Sequence, residues 1–224
     1  MLRAFYLRLK DRLPWLAKLM FRLHWQKLMQ MRVPAGLTVQ ADISAARNIR
    51  CTVTGRGNTL SIGPWTVIND LKLVILGSNN RIVIGEDVRI LSGVFYIEDD
   101  NSLLEIGDGS IIKSTGVGLS ESGSTIRMGK HCMIAPGVDI RNGDSHAIYD
   151  GASNERINKA GDVILGDRVW VGVRATLLKG TQVADGCIVG ACSVVAKPLT
   201  EPAALYVGNP PRHLKSNIYW TREH

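Results

Sequence analysis

One histidine stands out by its setting. His146 lies in RNGDSHAIYDGASNERINKAGD (141–162), a run of polar residues, glycines and turn formers that reads as an extended loop. An ordinary imidazole pKa of about 6.5 suits a group that must take and return a proton near neutral pH. A histidine acting as a base also needs an acceptor for its second ring nitrogen. Asp144, Asp150 and a backbone carbonyl all qualify, and the sequence does not choose among them. Trp170 follows 24 residues later. Its indole has one N–H and no acceptor, so it can face a developing oxyanion or simply pack. The other histidines, His24, His131, His213 and His224, are scattered and lack the clustering of a zinc site, so no metal is expected. Cys51, Cys132, Cys187 and Cys192 form no CxxC pair and read as small buried hydrophobes in a reducing cytoplasm.

The elements that must hold His146 announce themselves as repeats. GRGNTLSIG (55–63), GSNNRIVIG (77–85), DDNSLLEIG (99–107) and ESGSTIRMG (121–129) recur with a period of 22. Each is a polar turn, an alternating strand and an aliphatic–Gly step, which predicts stacked coils. The next such step, Gly166, comes 37 residues after Gly129, a surplus of 15, and His146 lies in the interruption. Beyond Gly166 the period falls to six. The lead positions Leu165, Val171, Leu177, Val183, Val189 and Val195 are all aliphatic, and the fifth positions Val169, Ala175, Thr181, Cys187, Ser193 and Leu199 are mostly small. This is neither helical periodicity nor simple alternation. A hexad fits one short strand and one corner, so three hexads close a triangular coil of 18 residues. The coils of 22 then carry about four extra residues at one corner, where the Gly/Asn/Ser-rich segments lie.

Charge divides the chain differently. Residues 1–35 hold eight Lys/Arg and one acid, the whole net charge of +7, while residues 36–224 balance at 19 basic and 19 acidic. The high pI therefore describes an arm, and a nucleic-acid-binding body is not expected. The arm reads as helix around Pro14, with Phe5, Tyr6, Trp15, Phe21 and Trp25 beside Lys/Arg faces. That suits packing on the body or contact with a membrane surface. It lacks the apolar core of a signal peptide, and no 18-residue apolar run spans a membrane. Three regions are expected: a basic amphipathic helical arm (1–35), a β-helix domain (36–200) with its loop at about 141–162, and a C-terminal tail (201–224).

HAIYD (146–150), VILGDRVWVGVRATLLKGTQVADGCIVGACSVVAKPL (163–199) and the tail GNPPRHLK (208–215) together resemble the hexapeptide-repeat acyltransferases. The long early coils look most like the bacterial capsule and exopolysaccharide O-acetyltransferases of the xenobiotic/serine acetyltransferase-like branch. The resemblance implies an all-β fold, a left-handed parallel β-helix with an N-terminal α-helical arm and a short tail. It implies direct transfer from acetyl-CoA to a sugar hydroxyl, with His146 as general base and Trp170 in the reaction centre. Cofactor contacts are implied at Val173, Gly190, Ala191, Ala196 and Lys197, with Lys197 and Arg212 meeting CoA phosphates. A homotrimer sharing its active sites, a polysaccharide or sugar acceptor, and a cytoplasmic protein peripheral to the inner membrane through its arm complete the expectation. A small-molecule acetyltransferase acting on serine, a galactoside or an antibiotic is the alternative, and a non-enzymatic scaffold a third. Two departures stand out: Cys192 where the family commonly has Gly, and Lys197-Pro198 where an acidic residue often follows the lysine.

Overall fold

The computed structural model describes residues 13, 15, 16, 19, 31–41 and 44–223. The expected helical arm lies largely outside these residues. Of those described in it, Leu13, Trp15 and Leu19 are exposed.

The rest is a parallel β-solenoid. Every coil contributes one strand to each of three sheets, and each strand pairs with its counterpart one coil away. The first sheet runs from Leu37–Ala41 to Gln182–Val183 and the third from Arg50–Val53 to Val194–Val195. The second starts at Ala45–Arg47 and continues past residue 200 through Leu205–Gly208, ending on the antiparallel strand Pro211–Lys215. Three corners join the sheets: first to second, second to third, and third back to first.

The hexad reading is visible in the burial. All six aliphatic leads and all six fifth-position residues are buried, from Leu165 to Leu199. Strand alternation sends one side chain inward and the next outward. Register then stacks the inward ones in columns, such as Ile62, Ile84, Ile106, Met128, Leu165 and Val183. Each buried aliphatic contributes about 1.5–3 kcal/mol, so the narrow core is stabilised coil by coil. Cysteines divide: Cys132 and Cys187 are buried, Cys51 is half-buried and Cys192 is exposed. Burial pushes the Cys132 thiol up to about 12, which leaves it unreactive.

The extra residues of the 22-residue coils fall at the third corner. Residues 54–57, 76–80 and 98–102 stack there in register, with residues 120–124 next. Buried Asn58 and Asn80 form a ladder: Asn58 Oδ1 accepts from the Asn80 N–H (2.9 Å), and Asn80 Oδ1 from the Ser102 N–H (2.8 Å). In the late coils the same corner is short, residues 178–181 and 196–199. A tall ridge therefore drops to a low step, and the interruption lies at the drop.

Candidate functional site

The third-sheet strand Asp139–Arg141 leads into the loop, and the first-sheet strand Val163–Leu165 receives it. His146 is thus carried on the third corner. Its base is pinned to the ridge. Asn142, fully buried, accepts the Ser120 N–H on Oδ1 (2.7 Å) and donates Nδ2 to the Ser120 carbonyl (3.1 Å). At the far end, Asp162 accepts the Thr125 N–H (2.8 Å).

The loop folds as a small hairpin, with Tyr149 bridging Arg156 in antiparallel fashion and Ile157 N–H donating to the Ile148 carbonyl (2.9 Å). Buried Asn158 organises it. Its Nδ2 donates to the His146 carbonyl (2.7 Å) and to Asp144 Oδ2 (2.9 Å), while its Oδ1 accepts the Ile148 N–H (2.6 Å). Neighbouring coils grip the hairpin from both sides. From the ridge, Glu121 pairs with Arg156 and accepts the Ala160 N–H (3.0 Å). From the first short coil, Lys179 pairs with Asp144 and donates to the Asn158 carbonyl (3.3 Å). The Lys179 and Asn158 hydrogen bonds hold the Asp144 carboxyl below the usual aspartate range.

This geometry bears on the two carboxylates flanking His146. Asp144 is engaged by Lys179 and Asn158, while its backbone carbonyl accepts the His146 N–H (2.7 Å). Asp150 caps the hairpin tip, accepting the Ala152 and Ser153 N–H groups (2.9 and 2.8 Å). Both therefore shape the loop. The His146 side chain is exposed, as are Ile148, Tyr149 and Ile157 on the same hairpin.

The remaining residues singled out by sequence fall in three places. Ala196 and Lys197 are exposed on the third corner, two coils beyond the loop. Val173, Gly190 and Ala191 lie on the second corner in successive coils. Gly190 has a local reason to be small: a Cβ there would sit 2.7 Å from Val207 Cγ1 of its own chain. Cys192, beside them, is exposed with φ +59°, and its N–H donates to the Val173 carbonyl (2.9 Å). That left-handed backbone explains why glycine suits the position. Arg212 is exposed on the final antiparallel strand.

Trp170 projects outward from the second sheet, between its register partners Met133 and Ile188. In a triangular coil the second sheet lies opposite the third corner, so one chain does not bring Trp170 and His146 together. Among the described residues no cluster of His, Cys, Asp or Glu could hold a metal ion, and no helix is long and apolar enough to cross a membrane.

Sequence reasoning missed Asn158, Lys179, Arg156 and Glu121. Only Glu121 left a trace. Its repeat column reads Gly55, Gly77, Asp99, Glu121, so the side chain lengthens towards the loop.

Comparison with known proteins agrees with the fold. Residues 162–197 match the bacterial transferase hexapeptide (six repeats) model. A polysialic acid O-acetyltransferase of Neisseria meningitidis is 34% identical over 190 residues, 75% of this chain and 88% of the relative. A probable macrolide acetyltransferase of Lysinibacillus sphaericus is 33% identical, over 43% of this chain and 62% of the relative. Among solved structures, the polysialic acid O-acetyltransferase OatWY superposes with a TM-score of 0.70 at 29% identity, covering 84% of this chain and 92% of that one. The polySia-specific acetyltransferase NeuO gives 0.63 at 28%, covering 84% and 90%.

Proposed function

Because this chain belongs to the bacterial hexapeptide-repeat acetyltransferases, we propose that it O-acetylates a capsular or other cell-surface polysaccharide, with acetyl-CoA as donor. The observation that carries this reading is the similarity to the polysialic acid enzyme of Neisseria meningitidis, which spans 75% of this chain and 88% of that relative and so reaches well beyond the hexads at 162–197.

Acetyl-CoA supplies an acetyl group activated as a thioester. His146 takes the proton of the acceptor hydroxyl as that oxygen bonds to the acetyl carbonyl carbon. It returns a proton to the departing thiolate, and no acyl-enzyme forms. The exposed imidazole, on a loop held from both sides, fits a base that must reach a large acceptor. Trp170 lies across the coil from it, which favours a homotrimer in which one chain lends His146 and its neighbour Trp170. The indole N–H then serves the oxyanion that develops on the acetyl oxygen. Val173, Gly190 and Ala191 on one chain and Ala196 and Lys197 on the other fit the two walls of a pantetheine groove, and Lys197 and Arg212 provide cations for phosphates. The basic arm suits attachment to the inner face of the cytoplasmic membrane, where capsule precursors are made.

His146→Ala tests the assignment with radiolabelled acetyl-CoA and a sialic acid polymer as first acceptor. Transfer is expected to fall by about 10²–10⁴-fold with the fold intact. Full transfer by the variant would remove His146 from the role of base. The shorter match to a macrolide acetyltransferase favours a second reading, a small-molecule acceptor. Preferential acetylation of monomers over polymer would establish it.

A further inference from the structure

The C-terminal tail does more than end the solenoid. Residues 216–223 run back up the first corner, against the direction in which the coils were laid down. The Ile218 N–H donates to the Ala203 carbonyl (2.8 Å). Three and four coils higher, Arg222 donates to the His131 and Gly109 carbonyls (3.2 and 2.8 Å). Gly109, His131, Arg168 and Ala203 all have left-handed backbones, at φ +67°, +56°, +54° and +50°. They recur at this corner coil by coil, with Gly186 (φ +72°) between Arg168 and Ala203, and the strap binds the carbonyls of the four.

Between these ends the strap buries one side chain. Trp220 is 7% exposed, although its neighbour Tyr219 is 86% exposed. The Trp220 indole N–H donates to the Arg168 carbonyl (2.7 Å), and the Arg168 guanidinium donates back to the Trp220 carbonyl (3.2 Å) and lies 5.8 Å over its ring. The other neighbour of Trp220 is Trp170, with ring centroids 6.0 Å apart and planes at 51°. A tail needed only to cover apolar surface would not require two reciprocal hydrogen bonds and a cation–π contact at one residue. Those contacts fix the Trp220 plane, and a fixed plane against Trp170 limits the rotamers open to it. The Trp170 strand is two residues long, and its register partners Met133 and Ile188 bound it along the stack. On the flank towards the first corner, the Trp220 ring lies against it.

The geometry points to Trp220, locked by Arg168, as a positioning residue that orients the Trp170 indole for the acetyl-transfer step. The inference rests on the reading of Trp170 as part of the reaction centre. It goes beyond that reading by assigning the strap a share in turnover.

The test compares Trp220→Ala, Trp220→Phe, Trp170→Ala and the Trp170→Ala/Trp220→Ala double variant in the full-length protein. Trp220→Ala is expected to lower kcat about tenfold while KM for acetyl-CoA and for acceptor moves less than about threefold. Trp220→Phe, which keeps a ring against Trp170, should restore most of that loss. Any exciton couplet from the paired indoles in circular dichroism should vanish in both Trp220 variants. The double variant should be no slower than Trp170→Ala, because both changes act through one group. Wild-type kcat in Trp220→Ala beside an inactive Trp170→Ala would overturn the proposal while sparing the role of Trp170. So would losses that multiply in the double variant, or loss of assembly in Trp220→Ala that Trp220→Phe does not correct. Full turnover by Trp170→Ala would instead sink the reaction-centre reading, and this proposal with it.

Discussion

The early and late coils use the same three-sided core and differ at one corner. In the 22-residue coils, side chains at the third corner bind backbone one coil away, as in the Asn58–Asn80 ladder. In the 18-residue coils the corner shrinks to a few residues, tied by the Leu178 N–H and the Thr181 hydroxyl, which both donate to the Val195 carbonyl (2.8 and 3.0 Å). The lesson is mechanical. A rigid ridge beside a low step gives an inserted loop one partner above and one below. Glu121 holds it from the ridge and Lys179 from the step. Neither class of coil alone offers both grips.

The comparison breaks most severely at Asn158, where the two grips meet. Asn158→Ala removes the donor to the His146 carbonyl and leaves the part-buried Ile148 N–H without its acceptor. The local cost is about 1–3 kcal/mol. Misplacing a reacting group by about 1 Å can cost about 100-fold. We expect a kcat loss of that order in the transfer assay, while the melting of the solenoid itself scarcely shifts.

The step side can be tested separately by pH. Lys179 holds the Asp144 carboxyl low, so the pair stabilises the loop above the ordinary aspartate range and loses that contribution as pH falls through the depressed value. Hydrogen exchange at the Ile148 amide should therefore speed up on acidification beyond its intrinsic pH dependence. Lys179→Met should raise exchange at neutral pH and flatten this excess. Because the pair is partly exposed, the effect is modest and weakens with salt. An unchanged profile in the variant would show that the ridge alone holds the loop.

Cys192 gives the smallest and most favourable change. Cys192→Gly relieves a left-handed backbone at an exposed corner. The strain relief of about 1–2 kcal/mol is partly offset by the added freedom of glycine in the unfolded chain. A rise in denaturation midpoint of a few tenths of a kcal/mol equivalent is expected. A fall would mean that the thiol makes a contact worth more than the strain.

Much of this was legible before any coordinates. The glycine spacing, the hexads and the interruption required a stack of coils with one excursion bearing His146, because each coil repeats the same burial problem and must solve it with the same side chains. The basic arm was legible as composition, since charge is counted without a fold. The grip on the loop was not. Asn158 and Lys179 sit in segments with no period of their own, and their partners are 12 and 35 residues away. Trp220 and Arg168 are 52 residues apart and meet only because the tail reverses along the first corner. Local periodicity thus set which side chains face inward. Tertiary stacking alone decided which outward side chains became neighbours, because that depends on coil length and on where the loop and tail return, neither of which is written in any single repeat.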